Sequence, residues 1–276
     1  MTTLDVRPSP IAGTWYEGNP QSLAARIDEF LANVEPAQIR GQVIGVIAPH
    51  AGHRYSGQVA AHAFSLLRGL TPDLVVVLSP YHDYAPYPLI TTSHDAYFTP
   101  LGNIEVDKSA LNELQENLDI QITAISNDRE HSLEIELPFL QRVLQNDFKL
   151  LPIMVRAQEK DVVKKLGVAL ANILKDKTAL LVASTDLSHF YEQKIANDLD
   201  HEMLKRFESF DPESIFEAEQ NRIAFACGHA AVASAFWAAK GLGADKVQVL
   251  NYATSGDVTK DYSSVVGYGA AAILRS

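Results

Sequence analysis

Runs of Val, Ile and Leu recur along the chain, and most are apolar at consecutive positions rather than at alternate ones. Segments 43–48, 74–79, 88–92, 149–155, 179–184, 246–254 and 263–274 have the length and composition of strands. Strands apolar on both faces belong in a sheet covered by helices on each side. Between them lie stretches with apolar residues at three- and four-residue spacing, at 134–144, 161–174 and 197–207. An Ala-rich stretch, 57–67, follows Ser56 as a candidate cap, and 230–239 reads as an apolar helix. This alternation predicts an α/β fold with a largely parallel central sheet flanked by helices. The last two strands, joined by polar 255–262, are expected to pair antiparallel. No Ser/Gly tract, low-complexity linker or repeat divides the sequence, so 1–276 is read as a single domain.

Composition narrows the function classes. Of 276 residues, 47% are hydrophobic and 21% charged, which supplies a core and argues against disorder. The net charge of −11, with no basic stripe, excludes a nucleic-acid partner. The N-terminal segment lacks an apolar signal core, and no apolar run nears the ~20 residues that cross a bilayer. A lone cysteine leaves no internal disulfide and fits a reducing compartment. The expectation is a cytoplasmic protein with no membrane partner.

Ligands of open α/β sheets bind beyond the carboxyl ends of the strands. His50 in Pro49-His50-Ala51-Gly52, His82 in Pro80-Tyr81-His82, and Asp186 in Ser184-Thr185-Asp186 each follow a predicted strand. Cys227, in Ala226-Cys227-Gly228-His229, precedes the helix expected at 230–239. Unpaired N–H groups and the dipole at a helix N-terminus favour a thiolate, the form that binds metals and attacks electrophiles. Two imidazoles and one thiolate at element edges suggest a three-point metal site at His50, His82 and Cys227.

His189 lies three positions beyond Asp186, close enough on a turn for the carboxylate to orient the ring for general acid/base work. Glu130 and His131 precede the predicted helix at 134–144, where acidic residues also complement a helix dipole. They are candidates to stand behind the ligands and hold them in orientation, as is His229 beside the thiol. His53 and His62 are weaker candidates, and His62 falls within the Ala-rich helix. There is no GxxxxGK[ST], GxGxxG, HExxH or GxSxG, so phosphate-loop, zincin and serine-hydrolase readings have no support.

Six segments, in order from Ala48-Pro49-His50-Ala51-Gly52 to Leu250-Asn251-Tyr252-Ala253, make the chain resemble the Memo family. That family includes the microbial AmmeMemoRadiSam system protein B. The others are Leu78-Ser79-Pro80-Tyr81-His82, Glu130-His131-Ser132-Leu133-Glu134, Ser184-Thr185-Asp186-Leu187-Ser188-His189 and Cys227-Gly228-His229. The resemblance implies the fold of the type III extradiol ring-cleaving dioxygenases. Their iron is held by two histidines and a glutamate, with a further histidine as base. By likeness, His50 and His82 are the histidines, Cys227 replaces the glutamate, and His189 is the base with Asp186 beside it.

A thiolate keeps the carboxylate's charge but is softer and oxidisable, which widens the metal from iron to copper or zinc. The resemblance implies one metal ion and redox or oxygen chemistry on a small substrate. It implies as well a radical-SAM protein and an AMMECR-like protein as pathway partners. An alternative is a non-catalytic module that holds a peptide or anionic ligand in the same cleft. A cysteine hydrolase with Cys227 as nucleophile and His229 or His189 as base is a third reading, one that needs a metal-free thiolate.

Overall fold

The computed structural model describes residues 4–35 and 37–276. The described residues form strands β1 (Val6–Arg7), β2 (Gln42–Ala48), β3 (Leu74–Pro80), β4 (Leu89–Thr92), β5 (Ala96–Thr99) and β6 (Gly102–Glu105). Strands β7 (Ile122–Ile125), β8 (Lys149–Val155), β9 (Ala179–Ser184), β10 (His189–Tyr191), β11 (Lys246–Thr254) and β12 (Val265–Arg275) follow. The helices are α1 (Pro20–Ala32), α2 (His53–Phe64), α3 (Lys108–Glu116), α4 (Leu137–Val143) and α5 (Lys160–Leu174). After them come α6 (Gln193–Glu208), α7 (Pro212–Gln220), α8 (His229–Gly241) and the short α9 (Ser255–Thr259). No helix among the described residues is long and apolar enough to cross a membrane.

The main sheet has nine strands in the order β10-β12-β2-β9-β3-β8-β4-β7, with β11 on the other side of β12. Alternate residues of its central strands feed two separate cores. Leu74, Val76 and Leu78 face one, with Leu181, Ala183 and side chains of α3, α5, α6, α7 and α8. Val75 and Val77 face the other, with Leu180, Val182 and side chains of α1, α2 and α4. Each buried Val, Leu or Ile contributes about 1.5–3 kcal/mol, so strands apolar throughout are stable only with both faces covered. This is the α/β class expected from the sequence.

The centre of the sheet is parallel, as expected, while the sheet as a whole is mixed. A parallel strip, β2-β9-β3-β8, forms its centre. Antiparallel pairings flank it, β12 with β2, β10 and β11 on one side and β4 with β8 on the other. The connections decide this. A parallel neighbour needs a crossover of a dozen or more residues, whereas the loop between β3 and β4 is too short to carry the chain back. The 255–262 connection is also short, and β11 and β12 pair antiparallel as expected.

The seven strands expected from sequence are present to within two residues at either end. Helix α2 is different: it starts at His53 with Gly52 as its N-cap residue, and Ser56 lies inside it. Ser56 Oγ donates to the Ala51 carbonyl instead of capping. Polar His53 and Arg54 hide this first turn from a hydrophobic pattern. Gly57 is the contact point with α1, because a Cβ there would come within 2.5 Å of the Phe30 ring. The first turn of the stretch 134–144 is a tight 3-10 turn, with α4 beginning at Leu137.

Candidate metal centre

β2, β9 and β3 are adjacent and parallel, so their carboxyl ends open on the same side. His50 follows the first, Thr185 and Asp186 the second, and His82 the third. Cys227 arrives from across the chain on the loop before α8. Gly228 makes that approach possible, since a Cβ there would meet the Ser184 carbonyl at 2.3 Å and the Thr185 side chain at 2.8 Å. Cys227 Sγ then lies 3.1 Å from His50 Nε2.

A third imidazole completes the cluster. One donor atom from each of His50, His82 and His131 lies within 4.8 Å of the others. The His82 and His131 rings stack at 4.8 Å, and His50 stands edge-on to both at 5.3 and 5.4 Å. His131 was expected behind the metal ligands, but its ring stands among the donors. The charged run before α4 concealed this, because acidic and polar residues there serve a helix start equally well.

Two of the rings are held by Nδ1 hydrogen bonds, and the third lies beside the same carboxylate. His50 Nδ1 meets Ser184 Oγ at 2.9 Å. His82 Nδ1 meets Glu130 Oε1 at 3.0 Å, and His131 Nδ1 lies 3.2 Å from the same oxygen. That turns the Nε2 atoms of His50 and His82 away from these anchors, the arrangement in which imidazoles bind metals, with His50 Nε2 facing Cys227 Sγ. The residues therefore fit a metal ion: converging nitrogens, a nearby sulfur, and an acceptor behind every ring.

Glu130 is the hub of one side. Its carboxylate also accepts the backbone N–H groups of His82 (2.5 Å), His131 (2.8 Å) and Ser132 (2.9 Å). Burial opposes its charge, yet the bonds from His82 and these amides hold it well below the usual carboxylate range. Burial likewise opposes charge on His82, but Glu130 outweighs it and the imidazole's pKa is raised. His50 and His131 go the other way. Burial lowers both, His131 to about 4, so they are neutral and ready to ligate.

Arg7 of β1, 1% exposed, fixes this loop from below. Its guanidinium bonds Asp128 at 2.6 and 2.9 Å, Glu134 at 2.5 Å and the Glu130 carbonyl at 2.8 Å. The same N-terminal arm sets Trp15 against His131 at 4.2 Å, the rings tilted by 37°, and ties Tyr16 OH to Glu134. Nothing in the spacing of Arg7, Trp15 and Tyr16 marked them. Arg7 is placed by the small sheet in which β1 pairs with β5.

Three expectations change. Asp186 does not orient His189: its carboxylate accepts the His50 N–H at 2.8 Å, and His189 Nδ1 meets the Leu187 carbonyl at 2.8 Å. The tight turn points the two side chains to different partners, and burial raises Asp186 to about 7. His189 is still pinned through Nδ1 by a carbonyl, so its Nε2 is the basic atom, and burial lowers its pKa. His229 does not stand behind the thiol. It turns toward α7, with Nδ1 3.1 Å from the Ala226 carbonyl and 3.7 Å from Glu219, and its ring edge-on to Phe216. Finally, the helix N-terminus does not make Cys227 a thiolate unaided. Burial and the Asp186 charge raise the thiol well above its ordinary range, although the Asp186 N–H reaches the sulfur at 3.2 Å. A bound cation reverses that balance, because coordination deprotonates a thiol outright.

An α/β protein with converging imidazoles and a thiol at the carboxyl ends of parallel strands is a candidate metalloprotein. Comparison with known proteins agrees with the family resemblance. The family model described as "Memo-like protein" matches residues 7–272. A MEMO1 family protein of Nitrosopumilus maritimus is 36% identical over 270 residues, covering 96% of this chain and 98% of the relative. One from Aquifex aeolicus is 36% identical with the same coverage, and one from Methanosarcina barkeri is 33% identical over 267 residues. The chain belongs to the Memo-like family.

Proposed function

We propose that the protein binds one redox-capable metal ion, iron foremost with copper or zinc as alternatives, and performs redox or oxygen chemistry on a small molecule. His50, His82 and Cys227 are the ligands in this reading, and His189 is the base. The observation that carries it is the convergence of three imidazoles with a sulfur 3.1 Å from one of them. His131 favours a second reading. Two imidazoles, a thiolate and a third imidazole make four protein donors, the number that closes a structural site. In that case the cleft binds a ligand without chemistry. Metal analysis of anaerobically purified protein, with oxygen uptake on catechols, separates the two. Stoichiometric iron with uptake that His189→Ala abolishes supports the enzyme. Tight zinc with no uptake supports the module, and a metal-free protein defeats both.

A further inference from the structure

Behind His50 lies a chain of contacts that none of the expected roles uses. Ser184, at the end of β9, is fully buried, and its single hydroxyl has three neighbours. They are His50 Nδ1 at 2.9 Å, the Ser132 carbonyl at 2.7 Å and Glu136 Oε1 at 2.7 Å. A hydroxyl has one proton to give and two lone pairs to receive. The Ser132 carbonyl can only accept. If Ser184 gives its proton to Glu136, two oxygens face each other at 2.7 Å with no proton between them. One arrangement satisfies every contact: Ser184 donates to Ser132, and both Glu136 and His50 donate to Ser184.

We propose that Glu136 is held as a neutral carboxylic acid and, through Ser184, fixes His50 as the Nδ1–H tautomer with a bare Nε2 toward the metal. Glu136 is 1% exposed in the 3-10 turn before α4. No cation pairs with it among the described residues, and Asp186 adds like charge nearby. Burial and that like charge favour the protonated form. Glu136 and Ser184 are therefore positioning residues, and their effect on a metal rests on the metal-centre reading above. Sequence concealed them: Glu136 looks like one more acidic residue at a helix start, and Ser184 like the last residue of a strand.

The test uses 15N-labelled full-length protein, first without metal and then titrated with Zn2+ against a competing chelator. NMR reports which His50 nitrogen carries the proton, with His50→Gln identifying its signals, and infrared spectroscopy reports the carbonyl stretch of a neutral acid. Glu136→Gln keeps the shape and a donor, so it should preserve the tautomer and the zinc affinity while removing that stretch. Ser184→Ala should free the His50 tautomer and weaken zinc about 10–100-fold, the usual cost of losing a group that orients a ligand. An Nε2–H tautomer in the wild type overturns the inference, and so does a Glu136→Gln variant that loses as much zinc affinity as Ser184→Ala. If Ser184→Ala does not fold, Glu136→Gln and the wild-type spectra decide alone. A wild type that takes up no zinc defeats the metal-centre reading, while its spectra still judge the tautomer.

Discussion

The two sides of the histidine cluster hold their rings by opposite electrostatics. His82 and His131 rest on Glu130, an ionised carboxylate fed by three backbone amides, on a loop whose Glu130 carbonyl accepts from the Arg7 guanidinium. His50 rests on Ser184, backed by Glu136, which carries no cation partner among the described residues. The geometry at Nδ1 is the same on both sides. What differs is how each side tolerates removal from water: one meets buried charge with opposite charge and many donors, and the other keeps its acid protonated. The anionic side pushes electron density into its imidazoles, while the neutral side fixes orientation without adding charge. A metal bound between them would meet an anion-supported pair on one side and a neutral ring on the other.

The largest effect should come from breaking the charged side at its base. Arg7→Met leaves Asp128 and Glu134 buried opposite no cation, and removing one partner of a buried ion network costs about 3–5 kcal/mol. In a chain of this size that lowers the melting temperature by roughly 10 °C, readable by calorimetry on metal-free protein. A variant that melts with the wild type would show the network to be energetically idle.

Acid should strain the neutral side next. His53 begins α2 three residues beyond His50, packed against Tyr16, Phe30 and Phe139. Burial depresses its pKa to about 4, and its Nδ1 has no partner among the described residues. The folded value lies below the unfolded value of about 6.5, so the unfolded chain binds the extra proton first. Stability is then complete above pH 6.5 and lost as pH falls from there toward 4. Between pH 7 and 5 this residue should cost about 2 kcal/mol. Urea melts should show His53→Leu losing that much less than wild type over the same interval. Equal pH slopes in the two proteins would place the acid sensitivity elsewhere, for example at His131, which burial also depresses.

The legibility of each side in the sequence follows from how local its contacts are. His50, His82 and Asp186 could be placed because each directly follows an apolar run, and strand ends of a parallel strip lie together by topology. Cys227 was found as a lone thiol before an apolar helix, and Gly228 explains how it comes close. Arg7 was invisible because its partners are more than 120 positions away, joined through β1 and β5. In sequence, Glu136 and Ser184 look like ordinary helix-start and strand-end residues, and His131 like a residue behind the ligands. Their roles depend on which way side chains turn at a 3-10 turn that hydrophobic spacing cannot resolve. The Asp186–His189 pairing failed for the same reason: a separation of three permits contact but does not choose the partner.

Charge removal offers the sharpest contrast between the sides. Glu130→Gln turns the ionised hub into a neutral amide and places an NH2 group among three N–H donors and two ring nitrogens. Metal affinity should drop about 10–100-fold, or roughly 1.4–2.7 kcal/mol, by chelator competition. The same change at Glu136 should leave affinity unaltered. Equal losses at the two positions would erase the distinction between an anionic and a neutral hold.

The smallest effect on the metal is expected at His189. Its Nδ1 is occupied by the Leu187 carbonyl, and it stands outside the group of converging imidazoles, with burial keeping it neutral. His189→Ala should therefore retain the metal content of the wild type, whereas His50→Ala should lose it. If the cleft is catalytic, turnover in His189→Ala should fall by about 10²–10⁴-fold, the range for a missing general base. Asp186→Asn should not mimic it, because Asp186 accepts the His50 backbone N–H and makes no bond to His189. Its signature should instead be weakened metal binding from a displaced His50. Were Asp186→Asn to reproduce the His189→Ala pattern, with metal retained and turnover lost, the two would act as a pair despite their separate bonds. Loss of metal in His189→Ala would make His189 a ligand and join it to the cluster it now borders.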